Sequence, residues 1–255
     1  MAATRLIYDD VGDPDGAPVV YLHGGGDSRL SRHPDETIAA ELGVRLLAVD
    51  RCGPPDPRRT LVSFARDALG LLDALEIERA SVVGWSAGGP HALAVAAVGG
   101  ERIERAVVVA GMPPPDGLRA MPEDVQRTIR VARRSTRAGA ALLAHWGRRP
   151  PPPTGTQESD RAYGEGRVES FRHGARWLAL ELAALSRPWG FELANVRAPV
   201  SLLYGARDVV CPPSIGERYL LELPDAELRV VDETHQLLFS RWREILADAT
   251  LRTRR

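Results

Sequence analysis

The sequence predicts an α/β fold, a mainly parallel twisted sheet flanked by helices and interrupted by a helical cap. Two observations predict it. Short apolar runs rich in β-branched residues alternate with helical patterns, which implies right-handed βαβ units. That alternation stops at Met112-Pro113-Pro114-Pro115 and resumes at Ala198-Pro199-Val200. The core is therefore assigned to 1–112 and 196–255, and the cap to 113–195.

Taken in order, Pro18–Leu22, Val44–Val49, Ser81–Gly84, Arg105–Ala110, Val200–Tyr204 and Glu227–Val231 read as buried strands. From Leu61 to Ile77, Leu61, Phe64, Ala65, Ala68, Leu72 and Leu75 recur at spacings of three and four, giving one apolar stripe to lay on the sheet. Within the insertion, helical stretches fall around Glu123–Trp146 and Ser170–Leu185. The four prolines Pro150–Pro153 bar a helix between them and favour an extended segment.

Composition narrows the function. The 255 residues carry 33 basic and 34 acidic side chains, a net charge of −1, and every basic residue is arginine. A lysine Schiff base and a Walker-type phosphate lysine are thereby excluded. The short runs Arg133-Arg134 and Arg148-Arg149 are separated by acidic segments, so no nucleic-acid stripe is expected. Cys52 and Cys211 lie far apart, without CxxC or Cys/His spacing, so neither a metal site nor a disulfide framework is expected, and a reduced cytoplasm is the expected compartment. The N-terminal stretch MAATRLIYDDVGDPDG lacks the apolar segment of a signal peptide. No run of 18 apolar residues follows, so membrane attachment is not expected either.

The chemistry centres on GWSAGG, residues 84–89. Gly84-Trp85-Ser86-Ala87-Gly88 follows an apolar strand and precedes an Ala-rich helix, the setting in which G-x-S-x-G holds a serine on a sharp turn. The glycines are steric necessities, because strand and helix pass too closely for a Cβ. A serine hydroxyl needs a base to take its proton and a carboxylate to orient that base. Asp208 and His235 each follow a strand end, in the chain order Ser, Asp, His. Asp208 is preferred to Asp116, which follows the strand ending near Ala110. Among the six histidines, His33, His145 and His173 have no strand end to place them, His23 at the head of the glycine loop is read as structural and His91 as packed on the helix after the turn, which leaves His235 as the base. The loop His23-Gly24-Gly25-Gly26 follows a strand and can bring backbone donors to a developing oxyanion, with the N–H groups of Gly25 and Ala87 as the expected pair.

These residues resemble the α/β-hydrolase superfamily, in particular its small members related to proline iminopeptidases, esterases and lactonases. The likeness rests on YLHGGG, AVDRCG, VVGWSAGGPHALA, RPWGFELANVRAPVSLLYGARDVVCPP and the His235 segment, in family order. It implies the α/β-hydrolase fold, a triad of Ser86, Asp208 and His235, an oxyanion hole of Gly25 and Ala87, and no metal or organic cofactor. Two positions depart from the family pattern. Cys52-Gly53-Pro54-Pro55-Asp56-Pro57 replaces the usual P-G-x-G-x-S near the expected mouth of the site, and Thr234 stands where glycine usually precedes the histidine.

The resulting expectation is a serine hydrolase for a small, partly apolar ester, lactone, thioester or amide. Trp85, Trp146 and Trp177, with Phe171, form its expected aromatic wall, and Trp189 packs between cap and core. An acyltransferase, cyclase or lyase built on the same triad, motivated by the Pro54–Pro57 loop, and a ligand-binding protein without turnover are the rival readings. A small molecule is the expected partner, and a homodimer the one assembly left open.

Overall fold

The computed structural model describes residues 6–251. Seven strands form one sheet: β1 (Tyr8–Gly12), β2 (Ala17–Leu22), β3 (Val44–Val49), β4 (Ala80–Trp85), β5 (Ile103–Val109), β6 (Val200–Gly205) and β7 (Ala226–Val231). Their spatial order is β1-β3-β2-β4-β5-β6-β7, parallel throughout except where β1 pairs antiparallel with β3. Strands β4 and β6 are buried along their whole length, which is why they read as continuous apolar runs without alternation. The sequence reading did not foresee β1. Its YDDVG is half exposed and acidic, as an antiparallel edge strand tolerates. The first five residues of the N-terminal stretch lie outside the described residues.

Helix α1 (Thr37–Glu41) precedes β3, and α2 (Leu61–Ala74) precedes β4. Thr60 caps α2 through a reciprocal pair with Ser63. This helix stops a turn short of the expected Ile77, because Glu76 turns to φ +56° and Ile77 folds back into the core. Helix α3 (Gly88–Gly99) packs on α2 and over β4 and β5, and it is buried on every face from Gly88 to Ala96.

Between β5 and β6 lie four helices: α4 (Glu123–Arg134), α5 (Thr136–Gly147), α6 (Gln157–Ser170) and α7 (Arg176–Leu185). The stretch Glu123–Trp146 is two helices, because Ser135 leaves the helical region at φ −149° and caps α5 from its side chain. The second expected helix is also divided: α6 ends at Ser170 and α7 starts at Arg176. Helices α4, α5 and α7 pack on one another, while α6 docks on the loop after β2. There Ser170 Oγ donates to the Gly26 carbonyl at 2.7 Å, and Gly166 passes so close to Ser31 that a Cβ would lie 2.1 Å from its Oγ. Three further helices, α8 (Pro213–Glu222), α9 (Leu237–Ser240) and α10 (Trp242–Ala249), complete the chain. No helix among the described residues is long and apolar enough to cross a membrane.

Two glycines give opposite expectations. A Cβ on Gly84 would lie 2.3 Å from the Gly88 carbonyl oxygen, whereas one on the exposed α2 residue Gly70 meets nothing within 4 Å. In urea unfolding, Gly84→Ala is expected to cost roughly 3 kcal/mol or more, and Gly70→Ala to add about 0.5–1 kcal/mol.

Candidate active site

The turn between β4 and α3 is built by steric exclusion. Besides the Gly84 contact, a Cβ on Gly88 would lie 2.2 Å from the Leu22 carbonyl oxygen, so both glycines are obligatory. Ser86 adopts φ +54°, a left-handed conformation uncommon for a residue with a side chain. Two backbone bonds fix that turn, from Ser86 N–H to the Val109 carbonyl at 2.9 Å and from Met112 N–H to the Ser86 carbonyl at 3.0 Å.

The Ser86 hydroxyl lies 3.0 Å from His235 Nε2, and His235 Nδ1 lies 2.7 Å from Asp208 Oδ2. Because an ionised carboxylate only accepts, Nδ1 carries the imidazole proton and Nε2 is free to accept from Ser86. Asp208 is itself oriented. Its Oδ1 accepts from the N–H groups of Val210 at 2.7 Å and Cys211 at 2.9 Å. The Trp85 indole N–H donates to the His235 carbonyl at 3.0 Å and ties the histidine turn to the serine turn. Thr234 has no positive φ, so glycine is not needed there. The close pass falls instead on Gly205, where a Cβ would lie 2.4 Å from the Glu233 carbonyl oxygen. Cys211 is fully buried and interacts with Ser86, and burial pushes its thiol well above the usual range, so it stays protonated.

Gly25 and Ala87 face each other across the mouth of the serine turn: a Cβ on Gly25 would lie 3.3 Å from the Ala87 methyl. Neither N–H donates to another described residue, which leaves both for a ligand oxygen. A buried network holds the glycine loop that carries Gly25. His23 Nε2 accepts from the Arg51 N–H at 2.9 Å, and its Nδ1 donates to the Gly24 carbonyl at 2.8 Å. The Arg51 guanidinium donates to the carbonyls of His23 and Gly24 and pairs with Glu181 of α7 at 2.8 Å. Burial, reinforced by Arg51, pushes the pKa of His23 well below the histidine range, so its ring is neutral. His91 is likewise neutral through burial, and its Nδ1 donates to the Ala87 carbonyl while its ring edge packs on Phe64.

A cavity of about 560 Å³ opens over Ser86, His235, Gly25 and Ala87. Trp85 and Trp146 line it, and the Trp146 indole packs directly on Gly26. Trp177 does not. Its indole donates to the Ser170 carbonyl, its ring meets His23, and it faces a second cavity of about 140 Å³. Phe171 packs behind Trp146, and Trp189 stacks on Phe191. The Pro54–Pro57 loop corrects another expectation: Pro54 and Asp56 line that second cavity, on the far side of Arg51, and no residue of the loop reaches the cavity over Ser86. Asp116 is exposed and pairs with Arg218. The His23, Asp50 and Cys52 donors cluster within 4.8 Å, but the His23 nitrogens are both engaged and Asp50 pairs with Arg29, so these groups are committed to the fold.

Polar residues of the cavity that escaped the sequence reading include Asp27, Asp124, Thr128, Tyr163, Arg167 and Gln236. Asp27 directly follows the HGGG motif, which is the one signal that could have found it. Burial pushes the Asp27 carboxyl up to about 7, against the opposing pull of Arg167 and Arg51. An acid whose folded-state pKa exceeds its unfolded value binds its proton more tightly when folded, so stability is lost as pH rises between the two values. Between pH 4 and 7 this residue is expected to cost the fold up to about 4 kcal/mol. Asp27→Asn should flatten that part of the stability profile and raise the melting temperature at pH 8.

Comparison with known proteins bears on the family and the fold. Residues 19–249 match the model of the alpha/beta hydrolase family. A non-heme chloroperoxidase of Streptomyces lividans is 32% identical over 149 residues, 53% of each chain; the match thus spans about half the length of that relative. A 2-hydroxy-6-oxononadienedioate/2-hydroxy-6-oxononatrienedioate hydrolase of a Pseudomonas species is 25% identical over 242 residues, 87% of this chain and 82% of the relative. The crystal structure of the enol-lactonase from Burkholderia xenovorans LB400 superposes with a TM-score of 0.71 at 21% identity, covering 95% of this chain and 94% of that one, a likeness of fold. With the family model covering nearly all of the described residues, the chain belongs to the alpha/beta hydrolase family.

Proposed function

We propose that the protein is a serine hydrolase that cleaves a small ester, lactone, thioester or amide through an acyl-enzyme on Ser86. The observation that carries the proposal is the hydrogen-bonded line Asp208–His235–Ser86, with steps of 2.7 and 3.0 Å, at the floor of a cavity. His235 Nε2 takes the serine proton as Oγ attacks the substrate carbonyl carbon, and Asp208 holds the imidazolium that forms. In this reading the tetrahedral oxyanion accepts from the N–H groups of Gly25 and Ala87, donors without other partners among the described residues. His235 then gives its proton to the leaving group, and water, deprotonated by the same histidine, releases the acid. No step calls on a metal or an organic cofactor.

Helices α4–α7 serve as the cap in this reading, and their apolar side chains, Val125, Leu143, Leu178 and Leu182 among them, supply most of the upper wall. A partly apolar substrate fits that lining. The feature that motivated acyl transfer, the proline-rich loop after Arg51, lies away from this cavity and gives it no support.

Intact-mass detection of fluorophosphonate labelling tests the reading. The native chain is expected to gain one adduct, Ser86→Ala and His235→Ala none, and Asp208→Asn to label roughly 10³–10⁴-fold more slowly. A folded native protein that stays unlabelled would overturn it. In a screen of simple esters and lactones the free acid is the expected product; a product joined to another acceptor would move the assignment to acyl transfer.

A further inference from the structure

We propose that Asp27, Tyr163 and Arg167 form a recognition subsite for a hydroxyl group of the substrate, held in one corner of the cavity beside the carbonyl that Ser86 attacks. The hydrolase reading supplies only what that hydroxyl is attached to.

The corner combines a buried acceptor and a buried donor that do not satisfy each other. Asp27 is 2% exposed, and its Oδ1 has no hydrogen-bond partner among the described residues. Its Oδ2 lies close against Gly24, where a Cβ would be only 2.6 Å away. Arg167 of α6 lines the same cavity, is 4% exposed, and its Nε likewise has no partner. Its guanidinium lies over the Trp146 ring at 3.6 Å and donates from Nη2 to the Trp146 carbonyl at 3.2 Å. Among the described residues no carboxylate oxygen comes within 4.0 Å of it, although every other buried arginine of the core face, Arg32 and Arg51, has such a partner. Tyr163, one helical turn before Arg167, is wedged between Trp85 and Phe239, and its hydroxyl interacts with Arg167 and Gln236.

Buried polar groups without partners are costly, so such a pair lining one cavity points to a ligand that completes both. That ligand group must donate to Asp27 and accept from Arg167, and a hydroxyl does both with one atom. Above pH 7, where Asp27 is ionised, charge selects it over a carboxylate: the side chains lining the cavity include two aspartates, Asp27 and Asp124, and two arginines, Arg149 and Arg167, so an anion drawn to Arg167 meets the charge of Asp27 as well. Much of the remaining lining is apolar, Met112, Met121 and Leu143 included. The substrate is thus bifunctional: a hydrocarbon limb, a reactive carbonyl, and a hydroxyl on the other limb. A site built to hydrogen-bond a hydroxyl discriminates strongly against the analogue lacking it, because its own buried groups are then left unpaired.

The test measures binding and needs no turnover. Butyl hexanoate and its counterparts with a terminal hydroxyl or terminal carboxylate, placed on the acyl chain in one series and on the alcohol chain in the other, are titrated at pH 8 into the Ser86→Ala protein. Tryptophan fluorescence reports binding, since Trp85 and Trp146 both line the cavity. In one series the hydroxyl ester is expected to bind about tenfold more tightly than both its methyl and its carboxylate counterpart. Asp27→Leu and Arg167→Met, each added to Ser86→Ala, should bring the hydroxyl and methyl esters to within about twofold. Equal affinities in both series, a preference for the carboxylate, absence of binding by every ester, or a hydroxyl preference that survives both substitutions would each overturn the proposal. The ligand comparison in the parent protein decides even where a variant fails to fold. Failure of the hydrolase reading shows separately, as an unlabelled native protein in the fluorophosphonate experiment.

Discussion

The backbone of β4 turns into α3 where there is room for no side chain at Gly84 or Gly88, and the site depends on that contact. It brings the start of α3 against the carbonyls that end β2, so the serine turn and the glycine loop become neighbours although more than sixty residues separate them in sequence. Ser86 is left in a left-handed conformation that burial and two backbone hydrogen bonds hold in place. Strain of this kind persists only where the surroundings over-determine it.

What the serine turn achieves by exclusion, the glycine loop achieves by charge. A loop with three glycines has little intrinsic order. Here the Arg51 guanidinium gathers the His23 and Gly24 carbonyls, and Glu181, reaching down from α7, neutralises it. The pair is almost wholly buried, and a buried pair contributes specificity of arrangement more dependably than net stability. The same arginine helps to keep His23 neutral, so one cation fixes both the geometry and the protonation state of the loop that would receive an oxyanion.

The fold and the three-residue line were legible in the sequence because each rests on local rules. A parallel strand buried on both faces must be apolar, a strained turn must have glycines beside it, and a strand end announces itself by a switch from apolar to polar residues. Other features were decided by long-range packing. Strand β1 is too acidic to look like a strand until β3 pairs with it. Trp177 and Trp146 look alike as exposed candidates on helices, yet one turns toward His23 and the other toward Gly26. Thr234 drew attention as the missing glycine, while the close approach had moved to Gly205 on the neighbouring strand. Tyr163 and Arg167 stood in a polar stretch, QESDRAYGEGRVES, that gives no hint of facing a cavity.

Helix α6 touches the protein at an unusual place. Its last residue, Ser170, binds the Gly26 carbonyl, its Gly166 is pressed against Ser31, and Glu169 lies 3.6 Å from Arg29. The roof and the glycine loop are therefore one mechanical unit. A hinged lid that lifted α6 would pull on the very peptide groups that the proposed hydrolysis would use to receive an oxyanion. Traffic in and out of the cavity is better served where Asp124, Leu142 and the prolines Pro150 and Pro152 line it, exposed residues with no contact to the serine–histidine line. The molecule thus separates its doorway from its machinery, and the chemistry need not be reassembled each time a substrate enters.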